Sequence, residues 1–265
     1  MLGPPVEVQR PVRVAALPRS MPGGGIWQAK LDGHRTVATI DGDVALQTRS
    51  GRTVTGRFTE VLEPLATLPD GTVLDGELVA VRDGRFDFHA LAATASARKK
   101  VGVPIAYVAF DLLCHHGEDI RSRPLADRLA RLELLLRDAP AGVSMVISTG
   151  DPDDALAWLP ALAETGVEGW VVKDLSAPYT PGSSRSWLKW RPADTSDADL
   201  VGVLGPAEKP RALRVRFEDD QEAVTANLGP VQVRQFLQGV REAAGEPVEL
   251  EVRIEGAGSR HEQVR

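Results

Sequence analysis

Lys30 closes the short apolar run "WQAK" and stands at the head of "KLDGHR", with Asp32 and Arg35 two and five residues on. Taken alone, that spacing reads equally as a surface hairpin with solvated charges and as an amine presented to a ligand. Other segments carry charges in comparable positions. "LDGEL" at 74–78 places Glu77 in a β-rich run, and "EGWVVK" at 168–173 places Glu168 and Lys173 at the two ends of another. Carboxylates at the ends of buried strands are costly unless they hold a cation or a sugar hydroxyl. "YVAFDLL" at 107–113 offers Phe110 to the core or to a stacking partner, and "WLKWR" at 187–191 supplies Lys189 and Arg191. Two stretches are free of acids, "QTRSGRTVTGRFT" with Arg49, Arg52 and Arg57, and "YTPGSSRSWLKWRP" with Arg185, Lys189 and Arg191. Each alone reads as a solvated loop face. The net charge of −6 argues against a protein coated in basic surface, yet binding of nucleic acid depends on where cations cluster rather than on their sum.

The elements that must hold these residues are legible in the patterning. A chain of 265 residues, 43% apolar and 26% charged, suits a soluble globular protein with one large domain or a large and a small one. The single cysteine, Cys114, excludes an internal disulfide and a Cys-rich metal site. No apolar run approaches the roughly 20 residues of a membrane span. Prolines interrupt the N-terminal "MLGPPVEVQRPVRVAALPRS" where a signal peptide needs an apolar core, so a mature cytoplasmic start is expected. Alternation around Asp41-Gly42 predicts a hairpin, and turns are expected at Asp32-Gly33, Asp75-Gly76 and Asp83-Gly84. "RFTEVLEPLATLP", "PLADRLARLELLLRDA" and the Asp-capped "DPDDALAWLPALAETG" have helical spacing, whereas "PIAYVAFDLL", "VSMVIST" and "EGWVVKD" read as strands. His115-His116 falls in a turn without a third metal-binding partner in view and reads as surface. After Pro192 a polar connector, "ADTSDAD", leads to "LVGVLG", "ALRVRFED", "EAVTANLG" and "PVELEVRIEG", read as strands, and one helix, "GPVQVRQFLQGVREAAG". The boundary is expected near residue 196, giving domains at 1–196 and 197–265.

In order, spacing and residue type, the segments at 30–35, 74–78, 107–113, 168–173 and 187–191 together resemble the nucleotidyltransferase motifs of ATP-dependent DNA ligases and mRNA capping enzymes. The resemblance is close over residues 14–192 and rests on order and composition beyond. It favours the bacterial stand-alone and end-joining ligases. It implies an α+β protein: an adenylation (nucleotidyltransferase, ATP-grasp-like) domain of antiparallel sheets with flanking helices, then a small β-barrel OB-fold domain truncated at its C-terminus. Lys30 would be the nucleophile, attacking the ATP α-phosphorus to give a lysyl-AMP that the DNA phosphate later breaks. Its pKa must fall for attack, which burial, neighbouring cations and a metal can bring about. Glu77 would contact the ribose or a metal, and Glu168 would help hold a divalent ion, Mg²⁺ or Mn²⁺, which suits oxygen ligands. Phe110 would stack on adenine and Gln28 would reach the adenine edge, where many relatives carry an acid. Arg35, Lys173 and Lys189 would bracket ribose and triphosphate. Arg49 would meet the 5′-phosphate at a nick, with Arg185 and Arg191 as further DNA-phosphate contacts; Arg191 stands where lysine is frequent. Partners implied are ATP, nicked duplex DNA and other DNA-repair proteins, with no membrane, for a monomer working in the cytoplasm on the nucleoid of a bacterium.

Complete ligases of this kind end in a basic motif that orients the pyrophosphate. Here Arg260-His261 resembles the run preceding it, and the sequence stops at "EQVR". Slow self-adenylylation with better-preserved sealing of pre-adenylylated nicks is therefore expected, unless Arg260 and Arg265 substitute or a partner supplies the first step. No DNA-binding domain precedes Lys30, so the expected enzyme is minimal. Two other functions stay open: an RNA ligase or capping-type guanylyltransferase, and a catalytically impaired nucleic-acid-binding module.

Overall fold

A computed structural model describes residues 2–192, 194–217, 220–225, 227–243, 249–255 and 263–264. Arg260, His261 and Arg265 lie outside the described residues. Two compact units divide the chain, Met1–Arg191 and Pro192–Arg265. The first runs β1 (Gln9–Arg13), β2 (Gly25–Ala29), β3 (His34–Asp41), β4 (Asp43–Thr48), α1 (Leu62–Ala66), β5 (Thr72–Arg82), β6 (Arg85–Phe86), α2 (Ala95–Lys100), β7 (Ile105–His115), β8 (Glu118–Asp119), α3 (Leu125–Leu136), β9 (Val143–Met145), β10 (Ser148–Thr149), α4 (Pro152–Glu164), β11 (Trp170–Asp174) and β12 (Gly182–Trp190). The second contains β13 (Asp194–Leu204), β14 (Ala212–Phe217), β15 (Glu222–Val224), α5 (Pro230–Ala243), β16 (Glu249–Glu255) and β17 (Gln263–Val264).

Two sheets build the first unit. One has the order β1-β12-β11-β2-β10; the other is β4-β3-β5-β7-β8, with β6 on β5 and β9 on β7. Strand alternation decides which residues enter the space between them. On β5, Leu74, Leu78 and Ala80 face a core shared with Leu125, Leu129, Leu132 and Leu136 of α3. Val73 packs instead with Tyr179 and Trp187, and Val79 with Trp27 and Trp170. Asp75 and Glu77 share the parity of Val73 and Val79, so the pleat sends them toward the other sheet.

Several expectations are corrected. The sheets are mixed rather than antiparallel, because β1 runs parallel to β12 and β9 parallel to β7. These pairings join segments whose direction nothing local sets. Asp75-Gly76 is no turn: β5 continues through it, and glycine is needed because a Cβ at Gly76 would meet the Tyr107 ring at 2.6 Å. Lys30–Gly33 closes no hairpin either, since β2 and β3 belong to different sheets and these residues cross between them. "SSRSWLKW" is strand β12 rather than a solvated loop. Residues 194–199 of the supposed connector lie within β13, the central strand of a sheet ordered β15-β14-β13-β16-β17. Pairing on both edges overrides its turn-rich composition. Of the His115-His116 pair only His116 lies in the turn, at φ 50° beside Gly117, while His115 ends β7 and pairs with Glu118.

Arg128 of α3 is fully buried against Asp111 of β7, donating to both carboxylate oxygens at 2.8 and 2.9 Å and to the Arg123 carbonyl at 2.6 Å. Removing one member of a buried pair strands the other charge, whereas replacing both is far milder. Arg128→Ala should cost about 3 kcal/mol or more in urea unfolding, and Asp111→Leu with Arg128→Met should recover most of it. A loss for Arg128→Ala no larger than about 0.5 kcal/mol, the ordinary surface range, would contradict this.

Candidate functional site

Between the two sheets of the first unit lies a cavity of about 790 Å³, within the range of small-molecule sites. Register explains its lining. Val171 of β11 pairs with Gln28 on one side and Lys189 on the other, and Lys173 pairs with Ile26 and Trp187. Two cross-strand rows therefore project from one face of the first sheet. From the other sheet come Arg35 of β3 and Glu77 of β5, which stand opposite each other in the ladder.

Phe110 arrives through a bulge. Asp75 pairs with Asp111 and Gly76 with Ala109, which leaves Phe110 as the extra residue on β7. A bulge re-aims a side chain and frees its carbonyl from the ladder. That carbonyl accepts from Lys173 Nζ at 3.0 Å and from Gln28 Nε2 at 3.4 Å, so two residues of one sheet bond the other sheet's irregularity. Lys173 is 1% exposed, with its ammonium 3.8 Å from the Trp187 ring centre and 4.5 Å from that of Phe110. Burial drives its pKa down to about 7, against the pull of Asp111 and Asp75. Because Gln28 Nε2 donates to Phe110, its Oε1 faces no partner among the described residues although it is buried.

Lys30 follows β2 and is fixed by its backbone: its N–H donates to the Gly169 carbonyl at 2.8 Å, and its carbonyl accepts from Glu168 N at 2.9 Å. The Lys30 ammonium pairs with Glu168, whose Oε2 also accepts from Arg191 at 2.5 Å. Gly169 permits this approach, since at φ 144° a Cβ would meet the Trp190 carbonyl oxygen at 2.3 Å. Burial, with Glu168 nearby, raises the Asp32 carboxyl. Burial likewise raises Glu77 to about 8, although Lys30 and Arg35 pull it the other way. Lys189 is lowered, first by burial and then by Lys30, Arg191, Arg13 and Arg49. Eight lining residues are Lys or Arg (Arg10, Lys30, Arg35, Arg49, Arg52, Lys173, Lys189 and Arg191) against one carboxylate, Glu77. Such a lining selects a polyanion.

A family profile described as "ATP dependent DNA ligase domain" matches residues 9–191, which contain every residue of this cavity. The chain belongs to the ATP-dependent DNA ligase family. DNA ligase C2 of Mycolicibacterium smegmatis is 34% identical over 190 residues, 69% of this chain and 53% of that protein. The multifunctional non-homologous end joining protein LigD of Pseudomonas aeruginosa is 37% identical over 193 residues, 70% of this chain and 22% of that protein. The chain thus spans about half the length, or less, of these relatives. The ligase domain of LigD from M. tuberculosis shares the fold, with a TM-score of 0.63 at 20% identity over 94% of this chain and 89% of that one.

Of the residues expected from the ligase motifs, Gln28, Lys30, Arg35, Arg49, Glu77, Phe110, Lys173, Lys189 and Arg191 all line the cavity. Glu168 joins them through Lys30 and Arg191. Arg185 does not line it: it lies where β12 gains three residues against β1, between the pairs Pro11–Ser184 and Val12–Leu188, and it is exposed. Lys173 lines it from beneath the Phe110 and Trp187 rings and is itself almost wholly buried. Among the described residues no group of three or more His, Cys, Asp or Glu side chains is arranged to hold a metal. Sequence reading missed Arg10 of β1 and the role of Asp75, which "LDGEL" disguised as a turn. Trp187 was visible in "WLKWR", but its contact with Lys173 depends on pairing between β11 and β12.

Glu77 supplies a pH test. Folded, it keeps its proton to about pH 8, against the ordinary 4.5. The folded state therefore binds more protons over that window, and Glu77's contribution to stability is present at low pH and lost as pH rises through 8. Relative to Glu77→Gln, the melting temperature of the wild type should fall by about 4 °C or more between pH 5 and pH 8. Parallel pH profiles for the two proteins would overturn the assignment.

Proposed function

We propose that this chain carries the catalytic core of an ATP-dependent DNA ligase that seals nicks in duplex DNA, acting in repair through a covalent lysyl-AMP. The observation that carries this reading is Lys30, paired to Glu168 beside a cation-lined cavity inside the segment matched by the ligase family. The lining fits ATP. Lys30, Arg35 and Lys189 meet a triphosphate, Phe110 offers a ring to the base, and the unpartnered Gln28 Oε1 accepts from the exocyclic amine of adenine. An acceptor at that point favours adenine over guanine, whose corresponding edge carries an oxygen.

In this reading Glu168 takes a proton from the Lys30 ammonium, and the freed Nζ attacks the α-phosphorus; the N–P bond forms as the bond to pyrophosphate breaks, the electron pair leaves with pyrophosphate, and the nitrogen gives up its second proton to water. Glu168 holds the amine in line. Lys189 and Arg191 stabilise the charge that develops as pyrophosphate departs. Arg35 and Glu77 hold the ribose. A divalent ion, Mg²⁺ or Mn²⁺, would be held by Glu77 or Glu168 together with phosphate oxygens, and would supply charge neutralisation on the phosphates. Arg49 meets the 5′-phosphate, with Arg185 and Arg191 on neighbouring phosphates. Among its described residues the second unit has a five-stranded sheet and one helix, which supports an OB-fold domain that binds the duplex. Retention of the whole constellation speaks against a decayed binding module, and the family match favours DNA over RNA.

Mass spectrometry of the protein incubated with ATP and Mg²⁺ should find one AMP on Lys30, and none for Lys30→Ala. No adduct under any divalent metal would overturn the reading. Binding to nicked duplex should weaken with salt at a log–log slope of about −3 for three phosphate contacts, and Arg49→Ala should reduce the slope by about 1. An unchanged slope would remove Arg49 from the DNA interface.

A further inference from the structure

Arg35 reaches the cavity through a fixed fork. Its Nε donates to Asp75 Oδ1 at 3.0 Å and its Nη2 to Asp75 Oδ2 at 2.6 Å. Among the described residues its Nη1 has no hydrogen-bond partner, which leaves that donor for a ligand. An arginine side chain has several rotatable bonds and loses much freedom when held, so the fork must be gripped firmly to stay aimed. Asp75 is 0% exposed and cannot recruit water, so its oxygens must be satisfied by protein donors.

Arg35 supplies two of those donors. The third comes from far along the chain: Tyr179 Oη donates to Asp75 Oδ2 at 2.6 Å. The direction of that proton is settled by the other partners of the hydroxyl. Gln9 N–H donates to Oη at 3.0 Å and Arg35 Nη2 approaches it at 3.4 Å, so the lone pairs are taken and the hydrogen points at Asp75. The ring is located independently of the hydroxyl, edge-on to Trp187 at 5.6 Å and beside Arg128 at 5.8 Å. Burial and the Asp75 charge raise the phenol's pKa, so it remains a donor throughout the working range.

We propose that Tyr179 is a positioning residue for Arg35, holding through Asp75 the guanidinium that meets the nucleotide. The proposal rests on ATP occupying the cavity. Without the hydroxyl, Asp75 Oδ2 depends on Arg35 alone, and the fork is free to swing toward the carboxylate and away from the ligand. Tyr179 itself lines no part of the cavity, so an effect on ATP must pass through Arg35.

The test is a double-mutant cycle on formation of the lysyl-AMP adduct, using the full chain with ATP and Mg²⁺. Tyr179→Phe keeps the ring contacts and removes the hydroxyl, that is, the donor to Asp75 and the acceptor for Gln9 N–H and Arg35 Nη2. It should raise the KM for ATP by about tenfold, the usual worth of one charge-assisted hydrogen bond, with the rate at saturating ATP within about twofold. Arg35→Ala should raise KM at least as far, and Tyr179→Phe added to Arg35→Ala should do nothing more. Should Tyr179→Phe melt below the assay temperature, Asp75→Asn takes its place in the cycle. An unchanged KM for Tyr179→Phe, or effects that multiply independently in the double variant, would overturn the role of Tyr179. Absence of any adduct on the wild type would instead overturn the functional reading on which it rests.

Discussion

A charge withdrawn from water has to be met by an opposite charge, a hydrogen bond or a ligand, and the two facing sheets of the first unit are organised around that requirement. Asp75 is buried and meets Arg35 and Tyr179; Asp111 is buried and meets Arg128; Lys173 is buried and meets the Phe110 carbonyl. The contacts of Asp75 and Lys173 join residues 40 or more apart in sequence, and that of Asp111 reaches the next helix, 17 residues on. Apolar packing brings the sheets together, and these ionic contacts select one arrangement of their charged side chains.

Where pairing stops, the cavity begins. Lys173 is pushed toward neutrality and Glu77 toward its protonated form, both by burial. Burial thus disfavours charge of either sign at these two positions. Gln28 Oε1 is a polar counterpart, a buried acceptor with no donor among the described residues. Unmet groups of this kind are unfavourable in the free protein and become favourable contacts only when a ligand of matching chemistry arrives.

Much of this was legible before any tertiary structure. The Asp41-Gly42 hairpin, the leucine stripe of α3, the Asp151 cap of α4 and the strand that carries Lys173 all follow from short-range rules, and all form as expected. The errors share one cause. Asp75-Gly76, the residues after Lys30 and "ADTSDAD" have turn-like composition, yet long-range pairing extends, crosses or absorbs them. Glycine at position 76 answers to the Tyr107 ring rather than to a turn, a distinction no local window contains.

The sequence by itself determined the inventory of the site: an amine at Lys30, carboxylates at Glu77 and Glu168, a ring at Phe110 and cations at Arg35, Lys173, Lys189 and Arg191, in an order that identified the family. Tertiary structure decided their working relations. It set Glu168 on Lys30, put Phe110 in a bulge where its carbonyl takes Lys173, left Arg185 out of the cavity and brought Tyr179 onto Asp75. Residue type is a property of one position, whereas register, bulges and burial belong to pairs of distant segments, and those relations set each group's charge, orientation and access to a ligand.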